Sequence, residues 1–243
     1  MTGAVRLPIL PARPDRGKLE ARMSRVAARP PGTLLVHEIY ASIQGESTYA
    51  GLPCSFVRLT GCPLRCRWCD TPHAFTEGSP MTLPEIVRRA VELGPRLVEV
   101  TGGEPLAQPE CDALLTALAD RSLTVLLETS GAISIATVDP RVVVVLDLKC
   151  PSSGEAESND YENLDRLKPA DEVKFVVGTR DDFDWAVSTI RARGLLTRPV
   201  LMSPVFGELP HAELARWILE TGLPIRCQVA LHKVIWPPDA RGV

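Results

Sequence analysis

Leu97-Val98-Glu99-Val100-Thr101-Gly102-Gly103-Glu104-Pro105 is a short β-branched run that breaks into a threonine, two glycines, a carboxylate and a proline. The same punctuation recurs along the chain. Apolar runs at 55–59, 125–127, 142–146, 173–177, 200–202 and 225–229 read as further strands. Three of them give way to Glu128-Thr129-Ser130-Gly131, Asp147-Leu148-Lys149 and Ser203-Pro204. Strands that are apolar throughout, rather than alternating, are buried on both faces, which is the condition of a parallel sheet covered by helices. Helical patterns lie between several of these runs. Thr82 precedes Leu83, Ile86, Val87, Ala90 and Val91 at helical spacing, with Glu85 completing a Thr-x-x-Glu capping box. A second helix is expected from Pro109, with Leu114, Leu115 and Leu118 on one face, and two more over 183–191 and 212–219. In parallel α/β folds, ligands bind at the carboxyl edge of the sheet, whether it is open or rolled into a barrel. One polar segment after a strand can be a turn with its N-cap; four of them, carrying carboxylates and a lysine, place a site at that edge.

The 243 residues are 45% hydrophobic and 23% charged, which describes a globular chain of one domain, or one domain and a tail. At this length about 70 to 75% of the unfolded chain's surface is buried on folding, so the core needs no disulfides. The longest aliphatic run, 142–146, is far too short to span a bilayer, and the first thirty residues lack the apolar core of a signal peptide. The expected location is the cytoplasm. No period of 20 to 50 residues suggests a solenoid. Charge is unevenly spread: residues 1–32 hold seven Arg or Lys against Asp15 and Glu20, a net +5, leaving −8 for the remainder. An acidic body argues against a nucleic-acid partner, and nothing points to a membrane. Residues 1–32 also carry five prolines and no apolar period, so they read as a basic, Pro/Arg-rich disordered extension preceding a single folded domain over 33–243.

Seven cysteines is an odd count, and in a reducing compartment it points to metal binding, catalysis or burial. Cys62-Pro63-Leu64-Arg65-Cys66-Arg67-Trp68-Cys69 is C-x3-C-x2-C on the glycine-marked loop after the first run, a spacing that lets three thiolates converge on one metal centre. Three is the important count. A structural zinc needs a fourth ligand, which Cys54 or His73 could supply; a 4Fe-4S cluster held by three cysteines leaves one iron open to a cofactor. Cys54, Cys111, Cys150 and Cys227 have no close cysteine neighbour and read as small buried hydrophobes.

With its aromatic Trp68, the Cys62–Cys66–Cys69 motif resembles that of the radical S-adenosylmethionine superfamily, and Gly102-Gly103-Glu104-Pro105 sits where that superfamily places its GGE motif. The flanks Glu38-Ile39-Tyr40-Ala41-Ser42-Ile43-Gln44-Gly45-Glu46-Ser47, Phe56-Val57-Arg58-Leu59, Cys69-Asp70-Thr71, Asp147-Leu148-Lys149 and His232-Lys233 are similar to the 7-carboxy-7-deazaguanine synthase family, over about residues 36–233. The resemblance implies a partial TIM barrel of about six parallel strands, with its site at the strand carboxyl ends. It implies a lyase that contracts the ring of 6-carboxy-5,6,7,8-tetrahydropterin to 7-carboxy-7-deazaguanine with loss of ammonia, on the way to deazapurines such as queuosine. A deoxyadenosyl radical would take the hydrogen from C6 and later return one, so that the cofactor is regenerated. By motif match, Cys62, Cys66 and Cys69 would hold the 4Fe-4S cluster, and Thr71 would bind Mg2+. Trp68, Gly103, Asp147, Leu148, Lys149 and Ser203 would border S-adenosylmethionine. Ile43, Gln44, Gly45, Arg58 and Thr101 would take the pterin, Arg58 through its carboxylate. Glu46 and Glu128 could be supporting groups or bases. The implied partners are a flavodoxin or ferredoxin electron donor and a second copy in a homodimer. A glycyl-radical activase, or a zinc-stabilised binding module outside enzymes, are the competing readings.

Overall fold

The computed structural model describes residues 17, 23, 26, 29–237 and 240–243. Its elements run β1 (Thr33–Ile43), β2 (Pro53–Leu59), β3 (Ser79–Thr82), α1 (Leu83–Glu92), β4 (Leu97–Gly102), α2 (Cys111–Ala119), β5 (Thr124–Thr129) and β6 (Val143–Leu148). They continue α3 (Glu162–Arg166), β7 (Glu172–Val177), α4 (Arg180–Ala192), β8 (Val200–Pro204), α5 (His211–Thr221), β9 (Ile225–Cys227) and α6 (His232–Ile235). All nine strands join one sheet in the order β3-β1-β2-β4-β5-β6-β7-β8-β9. From β2 across to β9 every neighbouring pair is parallel. That gives six full strands and the three-residue β9, which is shorter than the run over 225–229 suggested. Among the described residues β3 and β9 form the two free edges, so the sheet stays open.

The central strands are buried along most of their length, as continuously apolar runs require: β4, β6 and β8 bury Val98, Val100, Val144, Leu146, Leu201 and Met202. Helices cover this sheet with residues such as Ile86, Leu114, Leu118, Phe183, Ile190 and Leu214, all in one core. α4 begins with a full capping box, in which Asp182 N donates to Thr179 Oγ1 and Thr179 N donates to the Asp182 carboxylate. The capping box expected at Thr82 and Glu85 is absent. Thr82 ends β3 in extended conformation and makes no side-chain cap, and Glu85 instead pairs with Arg89 at 2.8 Å. The helix expected from Pro109 starts at Cys111.

One strand, β1, runs against the rest. β1 pairs antiparallel with both β2 and β3. β1 also carries a bulge: Val36 faces Leu59 and Glu38 faces Arg58, so His37 is the extra residue. Most of the extension read over residues 1–32 lies outside the described residues. Of those described, Val26 is buried, and its Cγ2 lies only 2.4 Å from where a Cβ on Gly61 would stand; Arg29 donates to Thr33 O at 2.8 Å and pairs with Glu110. Chain packed on the body therefore begins at least at Val26.

Candidate active site

The loop after β2 is built by close backbone approach. Gly61, Gly102 and Gly103 lie where the end of β4 meets it: Gly103 N donates to Leu59 O at 3.1 Å, and Glu104 N donates to Gly61 O at 2.8 Å. Gly61 and Gly102 have φ of +98° and +152°. A Cβ on Gly103 would stand 2.3 Å from Gly61 O and 2.7 Å from Cys62 Cβ, and one on Gly102 2.2 Å from Leu59 O. Glu104, fully buried, ties this corner to the end of β5 by accepting from Leu106 N, Thr129 Oγ1, Ser130 N and Ser130 Oγ. The cysteine segment is pinned on its other side: Arg65 N donates to Glu155 Oε1 at 2.7 Å, and Arg67 N to Ser153 O at 3.0 Å. Cys62, Cys66 and Cys69 are free thiols in this frame, and all three face a cavity of about 660 Å³ at the carboxyl edge of the sheet. Because the Gly103 clash is with backbone, which cannot rotate away, Gly103→Ala should leave the chain folded yet lower cluster occupancy several-fold. Iron counted per chain after reconstitution checks this, and wild-type iron content would show that the corner yields.

The cavity wall also carries charged groups. Lys174 of β7 is buried, and its Nζ meets Glu46, Glu128 Oε1 at 2.7 Å and Asp147 Oδ2 at 4.0 Å. Burial works against its charge, but these three carboxylates hold it protonated well above the ordinary lysine value. Lys149 is anchored likewise, by Asp147 Oδ2 at 2.8 Å. Glu99 of β4 is buried and accepts from Gln44 Nε2; burial, and then repulsion from Glu128 and Glu46, pushes its carboxyl well above the usual range. A carboxyl whose pKa is raised on folding binds its proton more tightly in the native state, so its contribution is kept at low pH and lost as pH rises through the raised value. Glu99→Gln should therefore gain stability relative to wild type between pH 5 and pH 8, by about 1.4 kcal/mol for each unit of the shift within that window. Parallel melting-midpoint profiles for the two proteins would dispose of this if the Glu99→Gln profile kept the wild-type slope.

Arg58 of β2 donates from Nε to Glu38 Oε1 at 2.8 Å and from Nη2 to Tyr40 Oη at 3.1 Å, with its side chain 15% exposed at the cavity wall. His232 of α6 lies over Gly45, its Nδ1 2.4 Å from where a Cβ would stand, and Leu231 N donates to Gly45 O at 3.0 Å. Gly45 has to be a glycine for this packing to exist.

Comparison with known proteins places this geometry. The Radical SAM superfamily model matches residues 56–192. The chain is 49% identical over 214 residues to the 7-carboxy-7-deazaguanine synthase of Chlorobaculum tepidum, covering 86% of this chain and 97% of that one. The chain belongs to the 7-carboxy-7-deazaguanine synthase family. The family's protein from Koribacter versatilis is 43% identical over 224 residues, covering 86% and 99% of the two chains. In fold the chain is similar to the crystal structure of QueE from Escherichia coli, with a TM-score of 0.64 at 23% identity over 80% of this chain and 92% of that one. A structure of TYW1 with a lysine-pyruvate adduct bound gives 0.52 at 13% identity, over 69% and 72%. The open, mostly parallel sheet is thus the partial barrel of radical S-adenosylmethionine enzymes.

A 7-carboxy-7-deazaguanine synthase in this superfamily uses a 4Fe-4S cluster and S-adenosylmethionine, and the residues present fit both. Burial pushes the Cys62 thiol up to about 12 and raises that of Cys66, so a compensating metal is what turns them into thiolates. Asp147 Oδ1 is a buried acceptor without a partner at the cavity wall, as a ligand carrying hydroxyl or ammonium donors requires. Trp68, Gly103, Asp147, Lys149 and Ser203 line the cavity together with Ile43, Gln44, Gly45, Arg58, Thr101 and Thr71. Leu148 does not. Alternation along β6 turns its side chain away from Asp147 and Lys149 into the core, where it is fully buried. Cys54 is fully buried among Phe56, Leu97 and Leu126 and does not line the cavity, which removes it as a ligand. Cys111 and Cys150 are buried as expected, but Cys227 is exposed at the sheet's edge. Glu99 and Lys174 escaped the reading of the sequence, although a charged residue inside a run otherwise apolar was the available signal. Tyr40, Glu38 and His232 lay within quoted segments without roles, because only the fold aims them at the cavity.

Proposed function

We propose that this chain contracts 6-carboxy-5,6,7,8-tetrahydropterin to 7-carboxy-7-deazaguanine with loss of ammonia. The observation that carries this reading is that the three cysteines and Arg58 face one cavity, which is large enough for a cofactor and a bicyclic substrate side by side. When bound, the cluster and S-adenosylmethionine supply one-electron hydrogen-atom chemistry. The chain's own work is binding and orientation. Arg58, held in place through Nε and Nη2, offers its remaining N–H groups to the substrate carboxylate. Gln44, fixed by Glu99, and Thr101 at the end of β4 supply polar contacts to the ring, and Ile43 and Gly45 pack beside it. Lys174 keeps Glu46 and Glu128 fixed next to this space, where they can accept hydrogen bonds from ring nitrogens.

Thr71 stands at the N-cap of the short turn Pro72–Phe75 yet makes no capping hydrogen bond, and its Oγ1 lies 3.9 Å from Cys69 Sγ. Its hydroxyl is therefore available to Mg2+ whose other positions are filled by substrate oxygens and water. The flavodoxin or ferredoxin donor and the homodimer rest on the sequence resemblance. For the location, no helix among the described residues is long and apolar enough to cross a membrane. The test is an anaerobic assay of the reconstituted chain with 6-carboxytetrahydropterin, S-adenosylmethionine and a reductant. Formation of 7-carboxy-7-deazaguanine, stimulated by Mg2+, is expected. Cofactor cleavage at the same rate with and without the pterin, and no product, would defeat the assignment.

A further inference from the structure

From the side chains gathered at the bulge of β1, we infer that His37, Glu38 and His73 form a binding site for a borderline divalent transition-metal ion of the zinc class, distinct from the cysteine centre and from Thr71. One ligand atom from each of the three lies within 4.8 Å of the others. Adjacent residues on a regular strand point to opposite faces, so His37 and Glu38 should not meet at one point. The bulge in β1 removes that obstacle: with His37 the extra residue between the pairs Val36–Leu59 and Glu38–Arg58, both side chains reach the same side. His73 comes to them from the turn after the cysteine loop, its ring centroid 4.7 Å from that of His37 and tilted by 42°.

The surrounding hydrogen bonds prepare these groups as ligands. His37 Nδ1–H donates to Glu77 O at 3.2 Å, which fixes the tautomer and leaves the Nε2 lone pair for a metal. A backbone carbonyl holding the other nitrogen is the usual support of a metal-binding histidine. Arg58 engages Glu38 through Oε1, so Oε2 can serve the ion while the guanidinium orients the carboxylate. Of the two cations nearby, Arg241 pairs with Glu77 at 3.3 Å, and Arg58 would share Glu38 with the ion. Two imidazoles and one carboxylate select zinc, cobalt or nickel over magnesium or calcium, which prefer oxygen throughout. A tetrahedral zinc with bonds of about 2.0 to 2.1 Å needs ligand atoms about 3.4 Å apart, within reach of small side-chain rotations, and leaves the fourth position to water.

The test is equilibrium dialysis of the cluster-loaded chain against zinc chloride, with zinc and iron counted by elemental analysis for wild type, His37→Ala and His73→Ala. One zinc per wild-type chain is expected with iron content unchanged. Each alanine variant should weaken zinc binding by at least about 100-fold, the upper end of what losing even a supporting partner costs. X-ray absorption at the zinc edge of the loaded wild type should show a nitrogen and oxygen shell with imidazole scattering, a readout that does not depend on how the variants fold. Equal zinc binding by all three proteins, zinc taken up only as iron is lost, or a sulfur shell at the zinc would overturn the site.

Discussion

Alanine in place of any one of Cys62, Cys66 or Cys69 should reduce S-adenosylmethionine cleavage to background, whereas Cys54→Ala and Cys111→Ala should keep it. The three thiols share one loop and one cavity, and Gly61, Gly103 and Glu104 fix that loop against the end of β4. With one ligand gone, two thiols remain for a cluster that already spends its fourth iron on the cofactor, and a second cysteine cannot step in. Cys54 lies in a separate apolar group with Phe56, and Cys111 is the first residue of α2, buried in the main core. Removing either sulfur costs packing, on the order of 1 kcal/mol, and leaves the centre intact. Iron per chain and 5′-deoxyadenosine formed under reductant are the two readings. Cluster lost from Cys54→Ala but kept in Cys69→Ala would reverse the ligand assignment.

How much of this could be read from the chain depends on the kind of signal each part carries. The parallel strands were legible because burial on both faces leaves unbroken apolar runs such as 142–146. Their carboxyl ends were legible because glycines at Gly102 and Gly103 answer to backbone contacts that a Cβ would block. β1 was not legible. It is a half-exposed strand whose alternation is broken at His37 by the bulge, so neither the continuous nor the alternating template fits it. The Thr82–Glu85 box satisfied the local pattern and failed because Thr82 also ends a strand, so tertiary pairing with Thr33 set its backbone. Leu148 shows the limit of assigning a site by segment: Asp147-Leu148-Lys149 borders the cavity, but strand alternation sends the middle side chain into the core. The carboxylates around Lys174 come from Glu46, Glu128 and Asp147, on three other segments, and only the sheet order β5-β6-β7 and the loop after β1 bring them together.

Arg58→Lys should uncouple the reaction, with 5′-deoxyadenosine still formed and 7-carboxy-7-deazaguanine per cofactor cleaved falling about 100-fold, the scale of loss for an ångström-sized misplacement. Lysine keeps the charge, so simple attraction of an anion survives the change. What it loses is a planar group that can grip two anchors and a ligand at once. In the wild type, Nε is spent on Glu38 Oε1 at 2.8 Å and one Nη2 hydrogen on Tyr40 Oη at 3.1 Å, which leaves the outer edge of the guanidinium to meet a carboxylate through two parallel bonds. An ammonium in this place satisfies Glu38, the nearest carboxylate, and has no fixed edge left for the substrate. The ring then binds with its carboxyl-bearing carbon free to tilt. The cysteine loop leaves β2 beyond Arg58, and none of its contacts to Glu155, Ser153 or Glu104 involves that side chain, so cleavage of the cofactor proceeds. Both products quantified in one anaerobic time course at saturating S-adenosylmethionine give the ratio. If Arg58→Lys keeps both the wild-type ratio and the wild-type affinity for the pterin, the carboxylate is held elsewhere, and Arg58 serves only to neutralise Glu38.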